Sequence, residues 1–141
     1  MKPVVLSAIA TVALLVGGDR FAHAQPPGGQ CDQASKDLYG VAFVVKGGSN
    51  KSGVKEPKRK RSVEVSLPSP WPQECRSPLA VHEALIAPSG KIEKVWLLKS
   101  PCPQVDRAIT AAVQQWEYAP TLIESKPVPV CIIVSTMLHP R

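Results

Sequence analysis

The side chains that could carry acid–base or nucleophilic chemistry are scattered along this sequence. Beyond residue 24 the candidate acids and bases are His82, His139, Glu83, Glu93, Asp106, Glu117 and Glu124. Catalysis needs such groups to converge, and no G-x-S-x-G, H-E-x-x-H or glycine-rich phosphate loop marks a place where they would. An enzyme would need a pocket that joins a histidine to a carboxylate. We therefore expect no enzymatic activity, no catalytic residue and no cofactor.

Cysteines are the other reactive group. The chain has four, Cys31, Cys75, Cys102 and Cys131. An even number in an exported chain favours two disulfides, and four cysteines allow three pairings. The alternative is a zinc site built from Cys75, His82, Cys102 and Cys131, but no C-x2-C or H-x3-H pair supports it. We expect disulfides and no metal.

The first residues indicate export. Lys2 precedes an uncharged apolar run over residues 4–18, and Ala22, His23 and Ala24 follow it. A charged start, a short apolar stretch and an Ala-x-Ala site are typical of a secretory signal peptide. We predict a signal peptide over residues 1–24 that is cleaved after Ala24. The alternative is an uncleaved anchor in the inner membrane, although about 20 apolar residues are needed to span a bilayer.

A basic run follows in residues 51–61, where the only acid is Glu56, within a chain of net charge +6. Such a run could contact nucleic acid, but it has no aromatic residues for base stacking. We interpret it as a solvated linker and expect no nucleic-acid partner. Residues 25–37 are rich in turn formers without an apolar period, so we expect them to be mobile apart from any bond to Cys31.

The compact unit begins near residue 79. Apolar, β-branched runs predict strands over residues 79–86, 92–100 and 127–138, and Gly90 supplies a tight turn between the first two. An apolar residue recurs with helical period from Val105 to Trp116, and Pro103 suits a first helical turn. We predict a helix ending near Tyr118. Upstream, residues 38–45 and 63–67 alternate as short strands that could form a hairpin.

These elements predict an α+β fold of two layers. Its small, mainly antiparallel sheet has the order β-β-α-β along the chain, with one helix packed on one face. If residues 92–100 run up the sheet, the helix runs down, and residues 127–138 run up again. The strand over residues 79–86 then lies in the middle, and the last strand lies on an edge, where Pro127 and Pro129 are tolerated.

The same direction argument favours one disulfide pairing. Cys102 would lie at the end of the sheet where the first strand begins, soon after Cys75. Because the Cα atoms of bridged cysteines lie within about 7 Å, we favour Cys75 with Cys102. This leaves Cys31 for Cys131.

Several stretches together resemble the TonB C-terminal domain family. They are residues 71–72 (Trp-Pro), 88–92 (Pro-Ser-Gly-Lys-Ile), 95–100, 105–109 (Val-Asp-Arg-Ala-Ile), 112–113, 115–120 (Gln-Trp-Glu-Tyr-Ala-Pro) and 126–130 (Lys-Pro-Val-Pro-Val). The likeness covers about residues 54–138. It implies a periplasmic location and docking of an extended peptide from an outer-membrane receptor beside the last strand.

The sequence thus predicts a signal peptide over residues 1–24, an N-terminal extension with a basic linker over residues 25–62, and a TonB C-terminal-like domain over residues 63–141. Its function would be to bind a peptide segment of an outer-membrane receptor, or of another envelope protein, by strand addition. The alternative is a structural envelope protein that forms a homodimer through the same edge. That edge is predicted to comprise Val130, Ile132, Ile133, Val134, Ser135, Thr136, Met137 and Leu138.

Overall fold

A computed structural model describes residues 29–45, 54–75 and 77–139 of the chain. The elements are α1 (Gly29–Tyr39), β1 (Val44–Val45), β2 (Arg59–Arg61), β3 (Leu79–Ile86), β4 (Ile92–Lys99), α2 (Pro103–Gln114), β5 (Glu117–Tyr118), β6 (Thr121–Ile123), β7 (Lys126–Val128) and β8 (Val130–Met137). The main sheet has the order β1-β8-β3-β4. β3 pairs antiparallel with β4 and β8, so the α+β class with a mainly antiparallel sheet is confirmed.

The β3–β4 hairpin turns at Gly90, as its sequence predicts. Gly90 has φ of 90°, and a Cβ there would collide with the carbonyl oxygen of Tyr118. Only glycine combines this backbone conformation with so close an approach. This close approach allows a hydrogen bond of 2.8 Å from the Tyr118 N–H to the Gly90 carbonyl.

One face of the sheet packs against α2. Val105, Ile109, Ala112 and Val113 are its buried residues, which matches the predicted apolar period. The predicted end near Tyr118 was wrong, because the helix stops at Gln114. Residues 117–118 form β5 instead, whose pairing with β2 and bond to Gly90 replace further helical hydrogen bonds.

The other face carries α1, which the sequence did not predict. Its buried residues are Cys31, Ala34 and Ser35, and the first two form a small cluster with Leu85 and Cys131. The prediction of a mobile segment was therefore wrong for residues 29–37, while residues 25–28 lie outside the described part. Three buried residues are too few to produce an apolar period along the sequence. The sequence of α1 therefore gave no signal for a helix.

The upstream strands differ from the prediction. Of residues 38–45 only β1 is a strand, and it pairs parallel with β8 rather than with residues 63–67. The predicted hairpin was therefore wrong. The last strand is interrupted at Pro129, and β6 and β7 form a hairpin whose turn residues Glu124 and Ser125 have φ of 49° and 64°.

No helix in the described residues is long and apolar enough to cross a membrane. The predicted signal peptide over residues 1–24 lies outside the described part of the chain. The same holds for residues 51–53 of the basic run.

Candidate functional site

Two disulfides join the parts of the chain that frame the site. Cys75 is bonded to Cys102 with a Cα–Cα distance of 4.9 Å, and Cys31 is bonded to Cys131 with a Cα–Cα distance of 5.8 Å. Both predicted pairs are confirmed. The first bond fixes the chain before β3 to the start of α2, and the second fixes α1 to β8.

β8 does not lie at the edge of the sheet along its whole length. β1 pairs with it at Cys131 and Ile132, and the Cys131 N–H donates to the Phe43 carbonyl at 2.7 Å. The edge prediction was therefore wrong for this first part of the strand. A two-residue strand has too little sequence to show a period, so its position could not be read from the pattern.

Beyond Ile132 the outer side of β8 is open among the described residues. Backbone groups alternate in direction along a strand, so those of Ser135 and Met137 point the same way as those of Cys131, away from β3. The exposed side chains of Ile133 and Met137, at 43% and 55% exposure, add apolar surface along this stretch. The parallel register of β1 places the Val45 carbonyl opposite the Ile133 N–H, so the unpaired edge runs from the Ile133 carbonyl to Met137.

An extended segment, residues 62–69, lies beside this open edge. Half-buried Val63, Val65 and Leu67 alternate with exposed residues, and all three pack against the main core. The predicted strand over residues 63–67 was wrong, because these residues pair with no strand in the described part, although their burial alternates as the sequence predicts. A hydrogen bond of 3.1 Å from the Trp116 Nε1–H to the Val63 carbonyl holds the first residues of the segment.

A groove of about 710 Å³ separates the extended segment from the end of β8. This volume falls within the roughly 300–1,000 Å³ of most ligand sites. Its lining residues are Arg59, Ser62, Val63, Glu64, Val65, Leu67, Pro68, Ser69, Trp116, Ser135, Thr136, Met137, Leu138 and His139. Four of the eight predicted edge residues, Ser135 to Leu138, therefore line it, whereas Val130, Ile132 and Val134 are buried in the core.

The groove is cationic where β2 adjoins it. The Arg59 guanidinium carbon lies 4.3 Å from the centre of the Trp116 ring, a cation–π contact. Burial raises the pKa of Tyr118 above its ordinary value of 10.0, and the neighbouring Arg59 opposes that rise. All three residues of β2 are basic and exposed, although Arg61 meets Glu117 at 3.6 Å.

The predicted acids and bases do not converge. His82 is buried toward α2, where its Nε2 lies 3.1 Å from the Thr110 hydroxyl, and burial lowers its pKa despite the nearby Asp106. Glu83 is buried toward α1, on the opposite face of β3. Adjacent strand residues point to opposite faces, so these two side chains cannot act together.

The remaining candidates have structural partners or lie apart. Glu93 accepts a hydrogen bond from the Tyr39 hydroxyl at 3.3 Å, and Asp106 accepts one from Ser100 at 2.6 Å. Glu124 lies in the β6–β7 turn, and His139 lines the groove. Residues 29–45, 54–75 and 77–139 contain no group of three or more His, Cys, Asp and Glu placed to hold a metal ion.

Sequence reasoning missed one side of the groove. Arg59 was assigned to a solvated linker, and Trp116 to the apolar face of the predicted helix. The alternation over residues 63–67 was the available signal, because it marks a half-buried extended chain whether or not a strand lies beside it.

Comparison with known proteins gives no assignment. No protein-family model matches the sequence, and no curated protein matches it.

Proposed function

We propose that this domain is a non-enzymatic binding module that takes an extended peptide by strand addition to β8 beyond Ile132. The observation that carries the proposal is the unpaired outer edge from the Ile133 carbonyl to Met137, which borders a groove of about 710 Å³. In this binding mode backbone hydrogen bonds supply affinity, and pockets for alternate side chains supply selectivity.

The resemblance to the TonB C-terminal domain supports a choice of partner. It points to a periplasmic protein, exported with cleavage after Ala24 or held by an uncleaved anchor, and to a peptide segment of an outer-membrane receptor. The motifs behind the resemblance are in the same part of the chain as the groove, since Trp116 belongs to them and lines it. Two disulfides also suit an oxidising compartment.

The edge has the features that a docking strand needs. Charged side chains, prolines and bulges usually protect an exposed strand edge from unwanted pairing. β8 carries none of the charged residues or prolines, and its side chains from Ile133 to Met137 are apolar or hydroxyl-bearing. A short apolar edge without such protection favours pairing with another chain.

An NMR titration tests the proposal. The exported chain is mixed with synthetic peptides from the periplasmic plug segments of outer-membrane receptors, and the amide shifts of Ile133 to Met137 are expected to move. Ser135→Pro removes an outward N–H and should abolish binding. Ser135→Ala is the matched control, because it keeps the N–H and should bind like the parent. Unmoved shifts at these residues, or undiminished binding by the proline variant, would refute strand addition.

A second candidate function is self-association through the same edge. The exposed Ile133 and Met137 favour it, since two copies could pair their edges and bury these side chains. Light scattering at several concentrations separates the two functions. A dimer that Ser135→Pro converts to a monomer supports self-association, and a monomer at all concentrations excludes it.

A further inference from the structure

Among the described residues, the two chain segments that line the groove, the end of β8 and residues 63–67, both have backbone groups without a backbone partner. On one side is the outer edge of β8 beyond Ile132. On the other side, residues 63–67 make no backbone–backbone hydrogen bond with any residue of the described ranges. The bond that the Val63 carbonyl accepts comes from a side chain, that of Trp116. When one strand is missing from a sheet, the chain segments on the two sides of the gap both keep unpaired backbone groups. The groove between β8 and residues 63–67 has this feature.

Resting on the proposed strand addition, we propose that the groove receives one extended segment of another protein that pairs with β8 on one side and with residues 63–67 on the other. The segment carries an acidic residue at the end that meets Arg59. Two-sided insertion differs from edge addition because the bound strand is central and has neighbours on both sides.

The size of the groove fits a single short strand. A strand rises about 3.3 Å per residue, lies about 4.8 Å from its neighbours and needs about 10 Å of thickness. Five residues therefore occupy about 800 Å³ at these spacings. The groove volume of about 710 Å³ is close to that of one strand of this length.

The core holds residues 63–67 ready for pairing. Val63, Val65 and Leu67 pack against the buried cluster, so the segment is extended before any partner arrives. A preorganised edge costs little conformational entropy on binding, which increases affinity. Ser62, Ser69, Ser135 and Thr136 also line the groove.

Charge determines which end of the segment is acidic. Among the described residues, Arg59 is the one arginine or lysine that lines the groove, and its neighbours Lys58, Lys60 and Arg61 extend the positive surface. Its guanidinium is positioned over the Trp116 ring. A positioned guanidinium forms strong paired hydrogen bonds with a carboxylate, so an acidic residue is the chemistry that it selects. Glu64 is the single carboxylate of the lining among the described residues, and its charge disfavours a second acidic residue nearby.

Hydrogen exchange of the exported chain tests both parts. The probe is a synthetic peptide of alternating valine and threonine that ends in one glutamate, compared with the same peptide ending in glutamine. Bound peptide should slow exchange of amides in β8 from Ile133 to Met137 and of amides within residues 63–67. The glutamate peptide should bind about tenfold more tightly, because hydrogen bonds to charged groups are stronger than neutral ones.

Variants test the role of Arg59. Arg59→Gln should remove most of the difference between the two peptides. Lys60→Gln, which removes the neighbouring charge outside the groove lining, should change this difference less than threefold.

Slowed exchange in β8 alone would overturn the two-sided insertion and leave strand addition standing. Slowed exchange on neither side would refute both. Equal affinity for the two peptides would overturn the acidic requirement, and protection of both sides in a peptide-free dimer would show that a second copy is the occupant.

Discussion

The indole N–H of Trp116 donates a hydrogen bond of 3.1 Å to the main-chain carbonyl of Val63, which is 53 residues earlier in the chain. Trp116 follows α2, whereas Val63 is the second residue of the extended segment beside β8. This bond and the burial of the Trp116 ring therefore fix the extended segment to the core. The shape of the groove depends on it.

Replacing Trp116 with phenylalanine should loosen the extended segment. Trp116→Phe removes the N–H donor and leaves the Val63 carbonyl without its partner, so we expect a loss of about 1 to 3 kcal/mol in the free energy of unfolding. Urea unfolding measures this loss, and amide exchange within residues 63–67 should become faster. Trp71→Phe is the matched control, since it removes a 3.0 Å bond to the Cys75 carbonyl. Faster exchange over residues 63–67 in the control, or unchanged exchange there in Trp116→Phe, would contradict the role of the Trp116 N–H in holding the extended segment.

A comparison of two glycines tests the contact between the β3–β4 turn and β5. Gly90→Ala combines positive φ with a collision against the Tyr118 carbonyl, whereas Gly40→Ala has positive φ but no atom within 4 Å of the new Cβ. Left-handed backbone costs a non-glycine residue about 1–2 kcal/mol. We expect Gly40→Ala to lose about that much free energy of unfolding and Gly90→Ala to lose clearly more. Thermal or urea unfolding of both variants checks the order, and equal losses would show that the β3–β4 turn can shift away from Tyr118 without cost.

The second half of the fold could be predicted because each element has its own local signal. The helical period from Val105, the glycine at position 90 and the β-branched runs each specify one element, and chain direction then places β3 between its neighbours. α1 and β1 lack such signals. They are held by the Cys31–Cys131 bond and by pairing with β8, which are contacts between residues far apart in sequence. Local periodicity contains no information about such contacts.

The two disulfides should contribute unequally to stability. In the chain-entropy model, closing the 27-residue separation of Cys75 and Cys102 stabilises by about 3.6 kcal/mol, and the 100-residue separation of Cys31 and Cys131 by about 4.7 kcal/mol. Paired cysteine-to-alanine variants, compared by urea unfolding, should differ in this order.

The local effect of the two disulfide variants should also differ. An isolated helix of the length of α1 is marginal in water, and α1 has only three buried residues. Losing the Cys31–Cys131 bond should therefore speed amide exchange throughout α1, while α2 stays protected. The Cys75–Cys102 variant is the control, in which α1 should stay protected. Unchanged exchange in α1 would show that packing alone holds it.

The candidate site was harder to predict than the fold. The sequence identified the last strand, and Ser135 to Leu138 do line the groove. It could not show that β1 covers Cys131 and Ile132, nor that residues 62–69 form the facing side. A groove forms between two surfaces that are brought together by the fold. The contact between Val63 and Trp116, which are far apart in sequence, holds the extended segment beside β8, and local sequence patterns do not reveal such contacts.

Glu83 is buried between β3 and α1, and its pKa is raised above the ordinary value of 4.5 mainly by that burial. Asp32 adds to the rise, and a hydrogen bond from the Cys31 backbone N–H opposes it. Between pH 4.5 and the raised pKa the folded chain keeps a proton that the unfolded chain has lost. The stability contributed by this group is complete below pH 4.5 and is lost as the pH rises through the folded-state pKa.

Glu83→Gln should therefore raise the free energy of unfolding at pH 7, because glutamine is uncharged and its amide oxygen can still accept the Cys31 N–H. The gain over the parent should shrink as the pH falls and should vanish below about pH 4.5, where the parent carboxyl is also neutral in both states. His82 titrates in both proteins, so its contribution cancels in the difference. Urea unfolding at several pH values measures this difference, with Glu64→Gln as an exposed control that should change stability by less than about 0.5 kcal/mol throughout. If the difference between Glu83→Gln and the parent does not depend on pH, the carboxyl of Glu83 is not held in a protonation state different from that of the unfolded chain.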